Sequence, residues 1–391
     1  MEPIIYFDHS ATTPVCPEAA AAVQKTLTED FGNPSSRHLV GRAAADLLRS
    51  SRAAVLSALG VRDGAFVFTS GGTEANALAI LGRAEAKPRF AGGKILTTAG
   101  EHASVEQPLA LLESRGCEVV RIPVKGGQLD MQALEAACDS RVFLATFMAT
   151  NNETGACYDI PAAAALVRRL CRDALIHTDA TQAFLKIPCS PLSMGVDMMT
   201  VSGHKIGAMK GVGGLWLSPA AVRARALSAR TPGGGQEDGL RSGTENMPGI
   251  ASFAAAATAG KANFAEHAAK TAAVRAYLCD RIQSDPAFAD VSLHLPAVPA
   301  PHILSLAVRG LPGETLLNYL SANGICVSAG SACSSNAKHA HASFALLAFG
   351  LSEKEAGSTV RLSFAPSNTK EEADRFLRVL AEGLKTLYRK G

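Results

Sequence analysis

Short apolar runs alternate with longer Ala- and Leu-rich stretches over residues 15–255, and this alternation constrains the fold more than any other feature. The short runs have the length of β-strands, whereas the longer stretches have the length of helices. Such a chain folds as an α/β domain with a mostly parallel sheet, because the helices carry it back across the sheet between strands. Seven strands are predicted, over residues 65–69, 94–98, 118–123, 142–146, 175–178, 198–201 and 214–217.

The C-terminal part of the chain has a different pattern. An Ala-rich run over residues 250–284 predicts one or two long helices. It is followed by strand candidates and a last helix, at 302–308, 325–328, 360–364 and 370–388. We therefore expect two domains, a large one of residues 15–255 and a smaller α+β one of residues 1–14 and 256–391.

Composition excludes several classes of protein. Charged residues make up 19% of the chain and the net charge is +3, so neither nucleic acid nor an anionic membrane is expected as the main partner. The apolar stretches are too short to span a membrane, and Glu2 and Asp8 interrupt any signal peptide.

The cysteines and histidines give no metal or disulfide pattern. Nine cysteines are scattered without a C-x-x-C pair, which argues against a disulfide framework and a zinc site. His339 and His341 lack an accompanying carboxylate or cysteine cluster, so no metal site is expected there. This usage of cysteine predicts a reducing, cytoplasmic compartment.

Polar clusters follow several predicted strands, and α/β sheets bind their ligands at the carboxyl ends of strands. Gly72 and Thr73 lie where a strand passes through a Gly-rich turn into a helix, whose free N–H groups could bind a phosphate. Ser202 and His204 could reach the same phosphate after strand 198–201. Ordinary helix capping by Thr73 is the alternative.

Asp179 and Gln182 follow strand 175–178. A carboxylate at the end of an apolar strand needs a cation or a hydrogen-bond donor, and a protonated pyridine nitrogen would be one. Gln182 could donate to an oxygen of the same ring. For both residues, capping of the next helix is the alternative.

Lys205 follows a strand and a Ser-Gly-His turn. In a mostly dry site its amine would have a lowered pKa and could form a Schiff base, although a surface lysine would fit the same pattern. His102 could stack on a flat ring and transfer protons near neutral pH. A structural role for a lone histidine is the alternative.

Cys333 differs from the other cysteines because it lies in a Gly- and Ser-rich loop that cannot pack as core. An exposed thiol in such a loop can act as a thiolate nucleophile, and an incidental surface cysteine is the alternative. Arg361 interrupts a strand-like run. If it faces inward, its planar guanidinium suits a carboxylate, whereas on an edge strand it would face outward.

Together and in this order, these segments resemble the group I cysteine desulfurases (NifS- and IscS-like) of the class V aminotransferase family. The resemblance covers nearly the whole chain. It is carried by Tyr6-Phe-Asp-His-Ser-Ala-Thr-Thr-Pro14, Thr69-Ser-Gly-Gly-Thr-Glu74, Asn151-Asn-Glu-Thr-Gly155, Asp179-Ala-Thr-Gln182, Ser202-Gly-His-Lys205, Arg241-Ser-Gly-Thr244 and Ser331-Ala-Cys333. The Ser-Gly-His-Lys and Gly-Ser-Ala-Cys segments are the most specific.

The resemblance implies the fold of PLP-dependent transferases (fold type I, aspartate aminotransferase-like) and pyridoxal 5'-phosphate (PLP) as cofactor. The implied reaction converts L-cysteine to L-alanine and leaves the sulfur on Cys333 as a persulfide. The sulfur would pass to an acceptor protein, either an iron–sulfur scaffold or a tRNA-thiolation protein. A selenocysteine lyase or another class V PLP enzyme is the alternative.

The resemblance also implies a role for each site residue. Lys205 would hold PLP covalently, Asp179 would pair with its ring nitrogen, and Gln182 would pair with its ring oxygen. His102 would stack on the ring as a catalytic residue beside Lys205 and Cys333. The phosphate and the remaining cofactor contacts would fall to Gly72, Thr73, Asn152, Ser202, His204 and, in a homodimer with shared active sites, Thr244 of the partner subunit. Asn152 and Arg361 would hold the substrate carboxylate.

Overall fold

The computed structural model describes residues 3–86, 92–329 and 343–387. The β-strands are β1 (Ile5–Tyr6), β2 (Ala65–Thr69), β3 (Lys94–Thr98), β4 (Glu118–Ile122), β5 (Val142–Met148), β6 (Leu175–Asp179), β7 (Met198–Ser202), β8 (Gly213–Leu217), β9 (Val291–His294), β10 (Ile303–Val308), β11 (Ile325–Cys326), β12 (Ser328–Ala329) and β13 (Thr359–Ser363). The α-helices are α1 (Pro17–Thr28), α2 (Leu39–Ala58), α3 (Gly72–Ala86), α4 (Ala103–Glu113), α5 (Met131–Ala137), α6 (Ile160–Leu170), α7 (Pro191–Met194), α8 (Pro219–Arg223), α9 (Met247–Ala262), α10 (Phe264–Ser284), α11 (Gly313–Ala322), α12 (Phe344–Phe349), α13 (Glu353–Gly357) and α14 (Lys370–Leu387). Short 3-10 helices cover Lys125–Gly127, Gly203–Lys205, Glu237–Gly239 and Pro286–Phe288.

Strands β2 to β8 form one seven-stranded sheet in the order β2-β8-β7-β6-β5-β3-β4. The pairs from β4 through β7 are parallel, and β8 runs antiparallel to both β2 and β7. The prediction of a mostly parallel seven-stranded sheet is therefore confirmed. The largest difference in bounds is in β5, which continues to Met148 because Phe147 and Met148 are also buried.

Apolar cores cover both faces of this sheet, as its parallel strands require. Phe66 and Phe68 of β2 pack into one core, whereas Val67 between them packs into the other. Successive side chains of a strand point to opposite faces, so a continuous apolar run is needed when both faces are buried. This is why these strands read as uninterrupted apolar runs in the sequence.

The remaining strands form a four-stranded antiparallel sheet, β12-β13-β10-β9, and a short parallel pair, β1 with β11. A separate apolar core joins this region, with Phe7 from the N-terminus packing among residues such as Leu304 and Phe376. This separate core supports the proposed division into two domains, whose boundaries stay a prediction. Strand β9 and strand β1 were not predicted, because one has half-buried residues and the other has only two.

Two sequence expectations concern the helices. The Ala-rich run forms α9 and α10, which meet at Asn263. Each helix in the described part of the chain is too short or too polar to cross a bilayer.

Candidate active site

We call the seven-stranded sheet the large sheet and the four-stranded sheet the small sheet. A cavity of about 440 Å³ lies where the carboxyl ends of β5, β6 and β7 face the small sheet. We call it the strand-end pocket. Its wall contains ten of the predicted site residues: Gly72, Thr73, His102, Asn152, Asp179, Gln182, Ser202, His204, Lys205 and Arg361. Thr244 is exposed and lies outside this wall, and Cys333, like His339 and His341, lies outside the described residues.

Asp179 ends β6 and is 6% exposed. Its Oδ2 accepts a hydrogen bond from Asn76 Nδ2 at 2.8 Å, and its Oδ1 accepts one from the Thr181 N–H at 2.9 Å. Both donors are neutral, and no lysine, arginine or histidine of the described ranges forms a salt bridge with this carboxylate. Its charge is therefore held in place and left for a cationic group in the pocket.

Lys205 ends the 3-10 helix that follows β7. Its Nζ donates to the carbonyl oxygens of Ser10 and Ala11 at 2.5 and 2.8 Å. The N-terminal segment therefore fixes the amine at the pocket wall. A lysine so placed can react with a carbonyl compound that enters the pocket.

His102 caps the N-terminus of α4 and faces the pocket. Its Nδ1 accepts from the Ser104 N–H at 3.1 Å and lies 2.8 Å from Ser104 Oγ. Nδ1 acts as an acceptor, so the proton of the neutral ring belongs on Nε2. Loss of solvation in the concave wall lowers the pKa of His102, Asp179 opposes this effect, and Lys205 adds to it. The ring is therefore neutral at pH 7.

An anion cup is formed by the start of α3, by Ser202 and by His204. A Cβ added to Gly72 would lie 3.1 Å from Thr181 Oγ1 and 3.5 Å from Ser202 Cβ, so a side chain there would fill the cup. The first two residues of α3, Gly72 and Thr73, line this space, and helix N-termini commonly bind phosphate through their free N–H groups. Burial lowers the pKa of His204 to about 4, with further lowering by lysines such as Lys205, so His204 is neutral at pH 7.

Arg361 lies in β13, between β12 and β10, and is 6% exposed. Since β13 is not an edge strand and Arg361 is buried in the pocket wall, its guanidinium faces inward. Its Nη2 donates to Asp8 Oδ1 at 2.8 Å and to Ser328 Oγ at 3.0 Å, and its Nη1 donates to the Asn152 carbonyl oxygen at 2.8 Å. Its Nε is buried without a partner among the described residues, so this donor is available to a ligand carboxylate.

Gln182 is 4% exposed and makes two hydrogen bonds through its amide. Nε2 donates to the Ser10 carbonyl oxygen at 2.9 Å, and Oε1 accepts from Lys186 Nζ at 3.0 Å. An amide nitrogen carries two N–H bonds, so one remains for a ligand.

The comparisons with known proteins show the family of this chain. The family model named "Aminotransferase class-V" matches residues 5–376. The chain belongs to the class V aminotransferase family. A "Cysteine desulfurase" from Cereibacter sphaeroides is 39% identical over 390 residues, which is 96% of this chain and 94% of the relative.

Solved structures of related proteins confirm the fold class. A "NifS-like protein" superposes with a TM-score of 0.89 at 31% identity, over 98% of this chain and 99% of the NifS-like chain. A structure described as "SspA in complex with cysteine" gives a TM-score of 0.78 at 28% identity, over 93% and 100% of the two chains.

Three residues that bond to side chains of the pocket wall were missed in the sequence. Asn76 comes three residues after Thr73, so both lie on one face of α3, and this spacing was the available signal. Asp8 belongs to a motif that was noted, but its role on Arg361 has no local signal. Ser104 was also missed, although it bonds both His102 and Asn76.

Proposed function

We propose that this member of the class V aminotransferase family is a PLP-dependent cysteine desulfurase. One observation carries the proposal: the Lys205 amine, the Asp179 carboxylate and the Arg361 guanidinium, which are far apart in the sequence, line a single pocket. The reaction would convert L-cysteine and the Cys333 thiol into L-alanine and a Cys333 persulfide. A carbon–sulfur bond breaks and a sulfur–sulfur bond forms, so no external oxidant or reductant is needed.

The residues of the strand-end pocket fit PLP. Asp179 would bind the ring nitrogen, because its charge has no cationic partner in the described chain. Gln182 would bind the ring oxygen through its remaining N–H, His102 would stack on the ring, and Lys205 would form the covalent link. The cup at Gly72, left open by the absence of a Cβ, would hold the phosphate, and it draws on Thr73, Ser202 and His204.

When bound, PLP supplies the electron sink that stabilises the charge left on the substrate Cα after its proton is removed. The side chains of the chain itself bind, orient and transfer protons. Arg361 and Asn152 would hold the substrate carboxylate, which fixes the direction of the Cα–H bond. Lys205 would take this proton, with neutral His102 beside it as a second proton carrier.

The remaining parts of the proposal concern Cys333 and the partners. Cys333 would attack the γ-sulfur and carry the persulfide to an acceptor, either an iron–sulfur scaffold or a tRNA-thiolation protein. Thr244 is exposed and does not line the strand-end pocket of its own chain, which supports a homodimer in which Thr244 of the partner subunit completes the phosphate site. A cytoplasmic location is part of the same proposal.

The test measures alanine and sulfide formed from L-cysteine by the purified protein loaded with PLP. Wild type should form both, Cys333→Ala should form almost no alanine, and Cys326→Ala should match wild type as the cysteine control. Alanine formation that survives Cys333→Ala would show that Cys333 is not the nucleophile. Alanine from selenocysteine but not from cysteine would support the selenocysteine lyase alternative.

A further inference from the structure

A second cavity, of about 480 Å³, shares Lys205 with the strand-end pocket. We call it the rear cavity. Its polar wall includes His9, Lys186 and His302, and its apolar wall includes Leu185, Ala256 and Phe364. A volume of this size lies in the range of small-molecule sites.

Two buried histidines in this wall have ring nitrogens without a hydrogen-bond partner among the described residues. His302 is 2% exposed, and neither ring nitrogen has a partner within residues 3–86, 92–329 and 343–387. His9 is 5% exposed, and its Nδ1 is likewise without a partner in those ranges. Buried ring nitrogens without partners are costly, so they indicate that a polar group is accommodated in the cavity.

The wall also holds a lysine that no described carboxylate pairs with. Lys186 donates to Gln182 but forms no salt bridge with any described carboxylate. Burial, with a smaller contribution from Lys205 and Arg361, lowers the pKa of Lys186 to about 7. Of the described wall residues only Glu18 is acidic, and its side chain is exposed.

The charge of Lys186 reaches both histidines. It contributes to lowering the pKa of His9 and of His302, after the larger effect of burial in each case. All three residues line the same cavity. A carboxylate between them would accept hydrogen bonds and neutralise the lysine.

We propose that the rear cavity binds a small organic carboxylate, with the anion at Lys186 and His302 and an apolar body against Phe364, Leu185 and Ala256. The apolar wall favours an organic anion over inorganic phosphate or sulfate. This site is separate from the carboxylate clamp at Arg361. Binding there does not depend on the chain being a cysteine desulfurase.

The test is calorimetric titration of the PLP-loaded protein with benzoate, and with benzamide as the neutral analogue of the same shape. Wild type should bind benzoate saturably and benzamide at least about tenfold more weakly, because benzamide lacks the charge. His302→Phe should weaken benzoate binding about tenfold or more. His294→Phe is the matched control, since His294 is also buried but bonds Ser305 and lies outside the cavity wall.

Two further variants separate the rear cavity from the strand-end pocket. Arg361→Gln removes the other carboxylate clamp and should leave benzoate binding in place. Ala268→Phe narrows the rear cavity from the half-buried side of α10 and tests the site should His302→Phe fail to fold. Benzoate binding that is lost in Arg361→Gln and kept in His302→Phe or Ala268→Phe would overturn the proposal, as would an absence of saturable binding to wild type.

Discussion

The two walls of the strand-end pocket hold their charged groups in different ways. On the large-sheet wall, Asp179 is fixed by the neutral donors Asn76 and Thr181, and Lys205 is fixed by main-chain carbonyls. On the small-sheet wall, Arg361 is fixed by the anion Asp8. Among the described residues, no cationic side chain forms a salt bridge with Asp179 on the large-sheet wall, whereas Arg361 on the small-sheet wall is already paired with Asp8.

This difference fits the two tasks of the proposed reaction. A cofactor stays bound, and the Asp179 carboxylate, which forms no salt bridge with a described side chain, gives it a strong and permanent partner. A substrate must leave as product, and an arginine already shared with Asp8 gives a well-oriented but weaker carboxylate site. The large-sheet wall should therefore control the chemical step, and the small-sheet wall should control substrate binding.

Replacing Asp179 with Asn should have the largest effect, because it removes a negative charge from the large-sheet wall. The rate of alanine formation should fall by about 10³-fold, the range seen when a preorganised charged or polar partner is removed. Asp197→Asn is the matched control: Asp197 is equally buried, but it binds the Ile176 N–H and Arg168 outside the pocket. Equal activities of the two variants would contradict the role of Asp179.

Glu101 is a buried residue that supports the large-sheet wall. Its Oε1 accepts from Thr98 Oγ1 and from the Met148 N–H, both at 2.7 Å, so it ties the ends of β3 and β5 beside His102. Burial raises the pKa of Glu101 to about 8, which keeps it protonated at neutral pH. Since the folded state binds a proton that the unfolded state has lost, this residue makes the protein less stable as pH rises from about 4.5 to 8.

Glu101→Gln should remove this decline of stability with rising pH. The free energy of unfolding of wild type should decline between pH 5 and pH 8 by on the order of 2 kcal/mol more than that of Glu101→Gln, as measured by urea unfolding. Glu106→Gln, which changes a carboxylate that pairs with Arg121 near the surface, should keep the wild-type slope. A wild-type slope in Glu101→Gln would show that Glu101 is ionised in the folded protein.

The two walls also differ in how far the sequence alone predicts their contacts. Asp179 and Lys205 each follow an apolar run that reads clearly as a strand, and parallel strands bring such positions to one edge. The contact of Asp8 with Arg361 joins residues 353 positions apart, one in the N-terminal segment and one in β13, and no local pattern indicates it. The sequence pattern predicts that His302 begins a strand, and its place in the rear cavity depends on packing that the sequence does not show.

Asp8→Ala should weaken the anchoring of Arg361 on the small-sheet wall. Its effect on activity should be smaller than that of Asp179→Asn. Without Asp8, the Arg361 guanidinium keeps its bonds to Ser328 and Asn152 but loses its ionic anchor. KM for cysteine should rise about tenfold, equivalent to about 1.4 kcal/mol, while kcat changes little. Asp8→Asn retains an oxygen that can accept from Arg361 and should restore part of the wild-type KM, which a purely structural loss would not do. If Asp8→Ala lowered kcat and left KM unchanged, substrate binding would not be governed by this wall, and the division of tasks between the two walls would be wrong.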